Sequence, residues 1–116
     1  MKLNRITPNL PADEDGAARE FFTGFLGLQP SFDLGWVVRL ESPDDPRVAV
    51  QLVTRDATAP EDSAISVGVS DVEEAYAEAV RRGYPIVHPL GREEWGVRRF
   101  FVRAPNGVVV NIAQHD

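Results

Sequence analysis

Glu93–Gln114, EEWGVRRFFVRAPNGVVVNIAQ, reads as two strands joined by a tight turn. Strand formers fill both arms: Val97, Phe100, Phe101 and Val102, then Val108, Val109, Val110 and Ile112. Between them, Pro105 presets its own φ and Asn106-Gly107 tolerates the positive φ of a reversal. A three-residue loop pairs Ala104 with Val108, Val102 with Val110 and Phe101 with Asn111. Cross-strand partners share a face. One face is therefore Phe100, Val102, Val108, Val110 and Ile112, wholly apolar and suited to a helix. The other is Trp95, Val97, Arg99, Phe101, Arg103, Val109, Asn111 and Ala113, a mixed surface suited to water or a ligand.

Outward from this hairpin the chain falls into segments. Lys2–Leu10 is a first strand, with Pro8 limiting it to an edge or an irregular end. Ala12–Leu26 is a helix with Asp13, Glu14 and Asp15 at its positive end. Ala18, Phe21, Phe22 and Phe25 form its buried stripe, and Gly27 stops it. Strands follow at Gln29–Asp33, Gly35–Glu41 and Arg47–Thr54, then a linker, RDATAPED, at 55–62. The order restarts with a strand at Ala64–Val69 and a helix at Asp71–Arg82 before Gly83. A strand at Tyr84–Leu90, interrupted by two prolines, leads to the hairpin.

The restart is a repeat. Asp15 and Asp71 stand 56 apart, as do Gly27 and Gly83. Trp36-Val37-Val38-Arg39 matches Trp95-Gly96-Val97-Arg98 at 59, and Val48-Ala49-Val50-Gln51 matches Val108-Val109-Val110-Asn111 at 60. Neither half, at about 55 residues, easily buries a sheet face alone. The expected fold is α+β. Two βαβββ repeats, residues 2–54 and 63–114, form one domain over 1–116. They make one curved mixed sheet with helices outside and a concave pocket inside.

Composition narrows the function. A chain of 116 residues suits one domain. It has no cysteine, so disulfide and thiolate chemistry are excluded. No apolar run approaches the ~20 residues of a membrane span, and the first ten residues lack a signal-peptide core, so a cytoplasmic location is expected. A net charge of −6 argues against nucleic acid and mildly favours a cationic ligand.

The doubled unit carries two landmarks, Phe21-Phe22…Leu26-Gly27 at a helix end and Trp95-Gly96…Ala104-Pro105-Asn106-Gly107 at a hairpin. It resembles the vicinal oxygen chelate superfamily, also called the glyoxalase, bleomycin-resistance and dioxygenase superfamily. Ala104 stands where that family usually has Asp, a turn residue. The resemblance covers essentially the whole chain. It implies either a metal-dependent isomerase, lyase or dioxygenase, or a metal-free protein that sequesters antibiotics.

The resemblance also implies metal positions on the first and last strand of each half. Carried over, these are Thr7, Gln51, Ala64 and Asn111. Only Gln51 resembles a usual ligand, and no carboxylate or imidazole joins it, so no metal or other cofactor is expected. His88 reads as a surface or hydrogen-bonded residue, and His115 as too far along its strand. Glu93-Glu94 reads as a solvated pair, with no catalytic constellation.

If the repeat transfers face as well as order, the concave face gathers Trp36, Val38, Gln51, Ser66, Trp95, Arg99, Phe101 and Asn111. These are the expected ligand-binding residues. Aromatic area with a few amides and one guanidinium is the make-up of a small-molecule pocket. Arg39 and Arg98, on the other parity, should meet helix carboxylates. The expected partners are a small molecule and a second copy in a homodimer. An enzyme with a non-standard or absent metal site, using Arg99 for an oxyanion and Glu94 as base, is the alternative.

Overall fold

The structure, a computed structural model, describes residues 1–115. Its order is β1 (Leu3–Pro11), α1 (Ala17–Glu20) with a wide π-helical turn (Phe21–Phe25), β2 (Gln29–Asp33), β3 (Val37–Glu41), β4 (Ala49–Val53), β5 (Ile65–Val69), α2 (Val72–Arg81), β6 (Ile86–Glu93), β7 (Val97–Arg103) and β8 (Val109–His115). Each half is thus βαβββ. The eight strands are ordered β2-β3-β4-β1-β5-β8-β7-β6, so each half repeats one topology. Its first strand lies parallel to its last, and the other pairs are antiparallel.

The chain divides into two compact units, Thr7–Thr58 and Met1–Ile6 with the chain from Ala59 on. The boundary falls inside β1. Early in the strand, Lys2 O accepts from Ser70 N at 3.1 Å, beside β5. From Asn9 onward it pairs with β4. Pro8 therefore stands in an inner strand, not at an edge, just before the β4 ladder begins. Only the backbone donor that proline lacks had to be dispensable there.

In the unit from Ala59, α2 lays Val72, Ala75 and Ala79 against Val67, Val69 and Phe100, with Val102, Val110 and Ile112 packed around them. This is the apolar face expected of the hairpin. Asp71 caps α2 by accepting from Glu74 N at 3.0 Å. The hairpin pairs Val102 with Val110 and Phe101 with Asn111, and Ala104 N donates to Val108 O at 2.8 Å. Gly107 carries the reversal at φ 90°, in the left-handed region that glycine adopts without a Cβ clash.

In the unit 7–58, Val38, Leu40 and Leu52 are the buried centre, joined by Leu10, Ala18, Phe22 and Val50. The helix is shorter than the Ala12–Leu26 expected. Residues 14–16 form a turn and bend, and after Glu20 the hydrogen bonds widen to a π turn. Thr23 competes for the backbone there, its hydroxyl donating to Arg19 O at 2.9 Å. Phe22 reaches the core, but Phe21 and Phe25 of the expected buried stripe are exposed. The segment 55–62 has no helix or strand, yet it is no loose linker. Asp56 is buried, and Ala59 packs with Phe101 and Val109.

Candidate functional site

Each half places a pair of neutral polar side chains across its parallel ladder. In the unit 7–58, Asn9 is the partner of Gln51, and Gln51 Nε2 donates to Asn9 Oδ1 at 2.7 Å. In the other unit, Ser66 is the partner of Asn111, and Asn111 Nδ2 donates to Ser66 Oγ at 3.0 Å. Thr7 and Ala64, the positions read from the sequence, stand two residues before Asn9 and Ser66 along the chain. A shift of two keeps the face and changes only the depth along the strand.

The ladder also corrects the repeat on the hairpin strands. Arg39 lies opposite Gln51, and Phe101 lies opposite Asn111. The equivalent residues of β3 and β7 are therefore 62 apart, not 59. The difference of three is odd, so every face assigned to β3 inverts. Val38 is the counterpart of Phe100, and both pack toward helices. Trp36 follows Val38 to that side. With Arg19, Asp33 and Leu52 the two line a cavity of about 370 Å³. Trp36 and Val38 thus do not share a face with Gln51. Its neighbours are Thr7, Asn9 and Arg39. Arg39 meets no helix carboxylate: its Nε donates to Glu41 at 3.0 Å and its Nη1 to Thr7 Oγ1 at 3.1 Å. Arg98 does reach a helix carboxylate, that of Glu73.

The five remaining residues, Ser66, Trp95, Arg99, Phe101 and Asn111, gather on one face of the unit from Ala59. Arg99 is their centre. It is only 3% exposed, and its guanidinium carbon sits 5.1 Å from the Trp95 ring centroid and 4.8 Å from that of Phe101. A cation over an aromatic face is attracted by the ring quadrupole, more so when water is excluded. Phe101 is fully buried among Ala59, Val87, Val109, His88 and Arg99, so its ring supports the guanidinium and offers no open face. Trp95 is partly exposed.

Two side chains read from the sequence as peripheral complete this centre. Glu93 is no solvated carboxylate. β6 runs on to Glu93, which pairs with Val97, and Glu93 Oε1 accepts from Arg99 Nε at 3.1 Å. His88 Nδ1 donates to Pro89 O at 2.7 Å, which leaves Nε2 3.6 Å from the same Glu93 oxygen. The missed signal was Trp95-Gly96. Gly96 N donates to Glu93 O, closing a tight β6–β7 turn that swings Glu93 beside Arg99. Glu94, the candidate base, is exposed.

Asn111 Oδ1 is buried and has no hydrogen-bond partner. An acceptor left so costs about 1–3 kcal/mol. Its own pair, Ser66 and Asn111, is neutral, and so is the pair Asn9 and Gln51 of the unit 7–58. Among the described residues no three of His, Cys, Asp or Glu gather to hold a metal ion. A divalent ion is normally compensated by carboxylate or held by imidazole. Neither the pair Asn9 and Gln51 nor the pair Ser66 and Asn111 fits one.

This fold, with paired polar side chains on the first and last strand of each half, defines a class. Residues 2–112 match the glyoxalase/bleomycin resistance protein/dioxygenase superfamily. The chain belongs to that superfamily. No curated protein sequence matches it. Solved structures share the fold. A superfamily member from Vibrio splendidus 12B01 is 22% identical with a TM-score of 0.72, covering 97% of this chain and 99% of its own. Methylmalonyl-CoA epimerase of Streptomyces coelicolor is 19% identical with a TM-score of 0.68, covering 98% and 99%. Homoprotocatechuate 2,3-dioxygenase of Brevibacterium fuscum is 18% identical with a TM-score of 0.72, but only 33% of that chain is covered.

Proposed function

We propose that the protein binds a small organic molecule without a metal and acts by sequestration, in the manner of the bleomycin-resistance branch of its superfamily. The unmet acceptor Asn111 Oδ1 carries this reading. A ligand N–H or ammonium that reaches it recovers the hydrogen bond the protein leaves unmade. Partly exposed Trp95 gives a flat group an apolar surface, and the acidic chain favours a cation. Arg99, Phe101 and Ser66 hold the wall in place. A second copy of the chain and a cytoplasmic setting belong to the same reading.

Equilibrium dialysis against cationic glycopeptide and polycyclic antibiotics tests it. Saturable binding at micromolar concentration, weakened by Asn111→Leu, is the expected result. Failure of the whole panel to bind would sink the proposal.

A further inference from the structure

In the unit from Ala59, the Ser66–Asn111 pair lies on one face of the sheet. The other face of the unit from Ala59 holds a cavity of about 580 Å³, within the range of small-molecule pockets. Ala75 and Ala79 line it from α2, Phe100, Val102 and Ile112 line it from the hairpin, and Tyr84 stands at its rim. Its origin is in the sequence. Tyr76 fills the space above Phe100, with ring centroids 5.0 Å apart, whereas Ala75 and Ala79 present a single methyl each. From the same helix Glu74 and Glu78 also line the cavity.

The charged groups around this cavity are engaged with one another, Glu78 serving two guanidiniums. Arg82 Nε donates to Glu78 Oε1 at 2.6 Å, Arg81 also pairs with Glu78, and the Met1 ammonium lies 3.8 Å from Glu74. A charged ligand entering here competes with these ion pairs, and its own charge would lose water beside apolar walls. Phe100, Val102, Ile112 and the two alanines instead offer dispersion contacts and a surface from which water is cheaply removed.

We propose that this cavity is a second binding site, for an uncharged, apolar small molecule. It is independent of the reading above, because none of its lining residues belongs to the polar face. Its occupant lies between α2 and β7–β8, with Tyr84 at the entrance.

Fluorescence titration of the full chain with neutral N-phenylnaphthylamine tests it, with the anionic anilinonaphthalene sulfonate as the charged comparison. The expected result is saturable binding of the neutral dye, weakened about tenfold or more by Ala79→Leu and by Ala75→Leu, which fill the cavity. Phe25→Ser, at an exposed aromatic elsewhere, leaves it unchanged. Methyl resonances of Val102 and Ile112 in the unsubstituted protein shift as the dye saturates, a readout that does not depend on either leucine variant folding. Three results would overturn the proposal: no saturable binding, dye binding with those methyls unmoved, or equally tight binding of the sulfonate.

Discussion

Arg99 Nε lies 3.1 Å from Glu93 Oε1, and the two side chains are 4% and 10% exposed. This pair ties the edge strand β6 to the hairpin that organises its unit. Both partners are out of water, and the carboxylate compensates the guanidinium at close range. Truncating one partner of a buried pair typically costs about 3–5 kcal/mol. Glu93→Ala should lower unfolding stability by about 3 kcal/mol in urea titrations, far more than Glu94→Ala at the exposed neighbour. Equal, small effects of the two would show that Glu93 is solvated after all.

The hairpin turn makes a separate prediction. Gly107 holds φ at 90°, where a Cβ is strained. Gly107→Ala should cost about 1 kcal/mol, and its neighbour Asn106, which has no positive φ, should tolerate Ala with less loss. Chemical denaturation of the two variants distinguishes them. A stabilising Gly107→Ala would mean the turn adopts another conformation.

The hairpin register was legible because a three-residue turn fixes it locally, and every pair down to Phe101–Asn111 follows. Thr7 and Ala64 lie two residues from Asn9 and Ser66, an even offset that keeps the face, so both paired strands stayed recognisable. The error on β3 did not keep the face. Transferring Trp95 onto Trp36 counted along the chain, whereas the true equivalence passes across the ladder from Gln51 to Arg39. Loops of different length absorbed three residues, and an odd slip inverts a strand. Val38 and Trp36 were misplaced for that reason alone. Glu93 and His88 were missed because their partners come from β7, through bulges in β6 that no periodicity announces.

Acid should act on α2 through Glu78. Its carboxyl is lowered to about 2, first by hydrogen bonding from Arg81 and then from Arg82. A carboxyl depressed on folding contributes stability that is fully present above its unfolded value, near 4.5, and lost as pH falls toward about 2. Glu78→Gln should therefore lower stability slightly near neutrality, and the difference between the two proteins should shrink as pH falls through that window. Solvent screening keeps the effect small, and high salt should shrink it further. Melting curves of the two proteins at several pH values decide this, and identical acid slopes would contradict it.

Metal addition tests the polar pairs directly. Asn9, Gln51, Ser66 and Asn111 bring no charge, and Gln51 and Asn111 already donate to their partners. A divalent ion at either pair would have to break that pair's hydrogen bond and enter without an anionic ligand. An ion present at about 100 times its dissociation constant stabilises a native state by about 2.7 kcal/mol, which a melting curve resolves. Chelator-treated protein should show no such shift with Ni²⁺, Co²⁺, Zn²⁺, Mn²⁺ or Fe²⁺. Gln51→Glu, which supplies one carboxylate at the Asn9 pair, is the variant in which a weak shift should first appear. A saturable shift in the unsubstituted protein that survives Gln51→Ala and Asn111→Ala would place a metal elsewhere. One abolished by them would return the chain to the metal-dependent members of its superfamily.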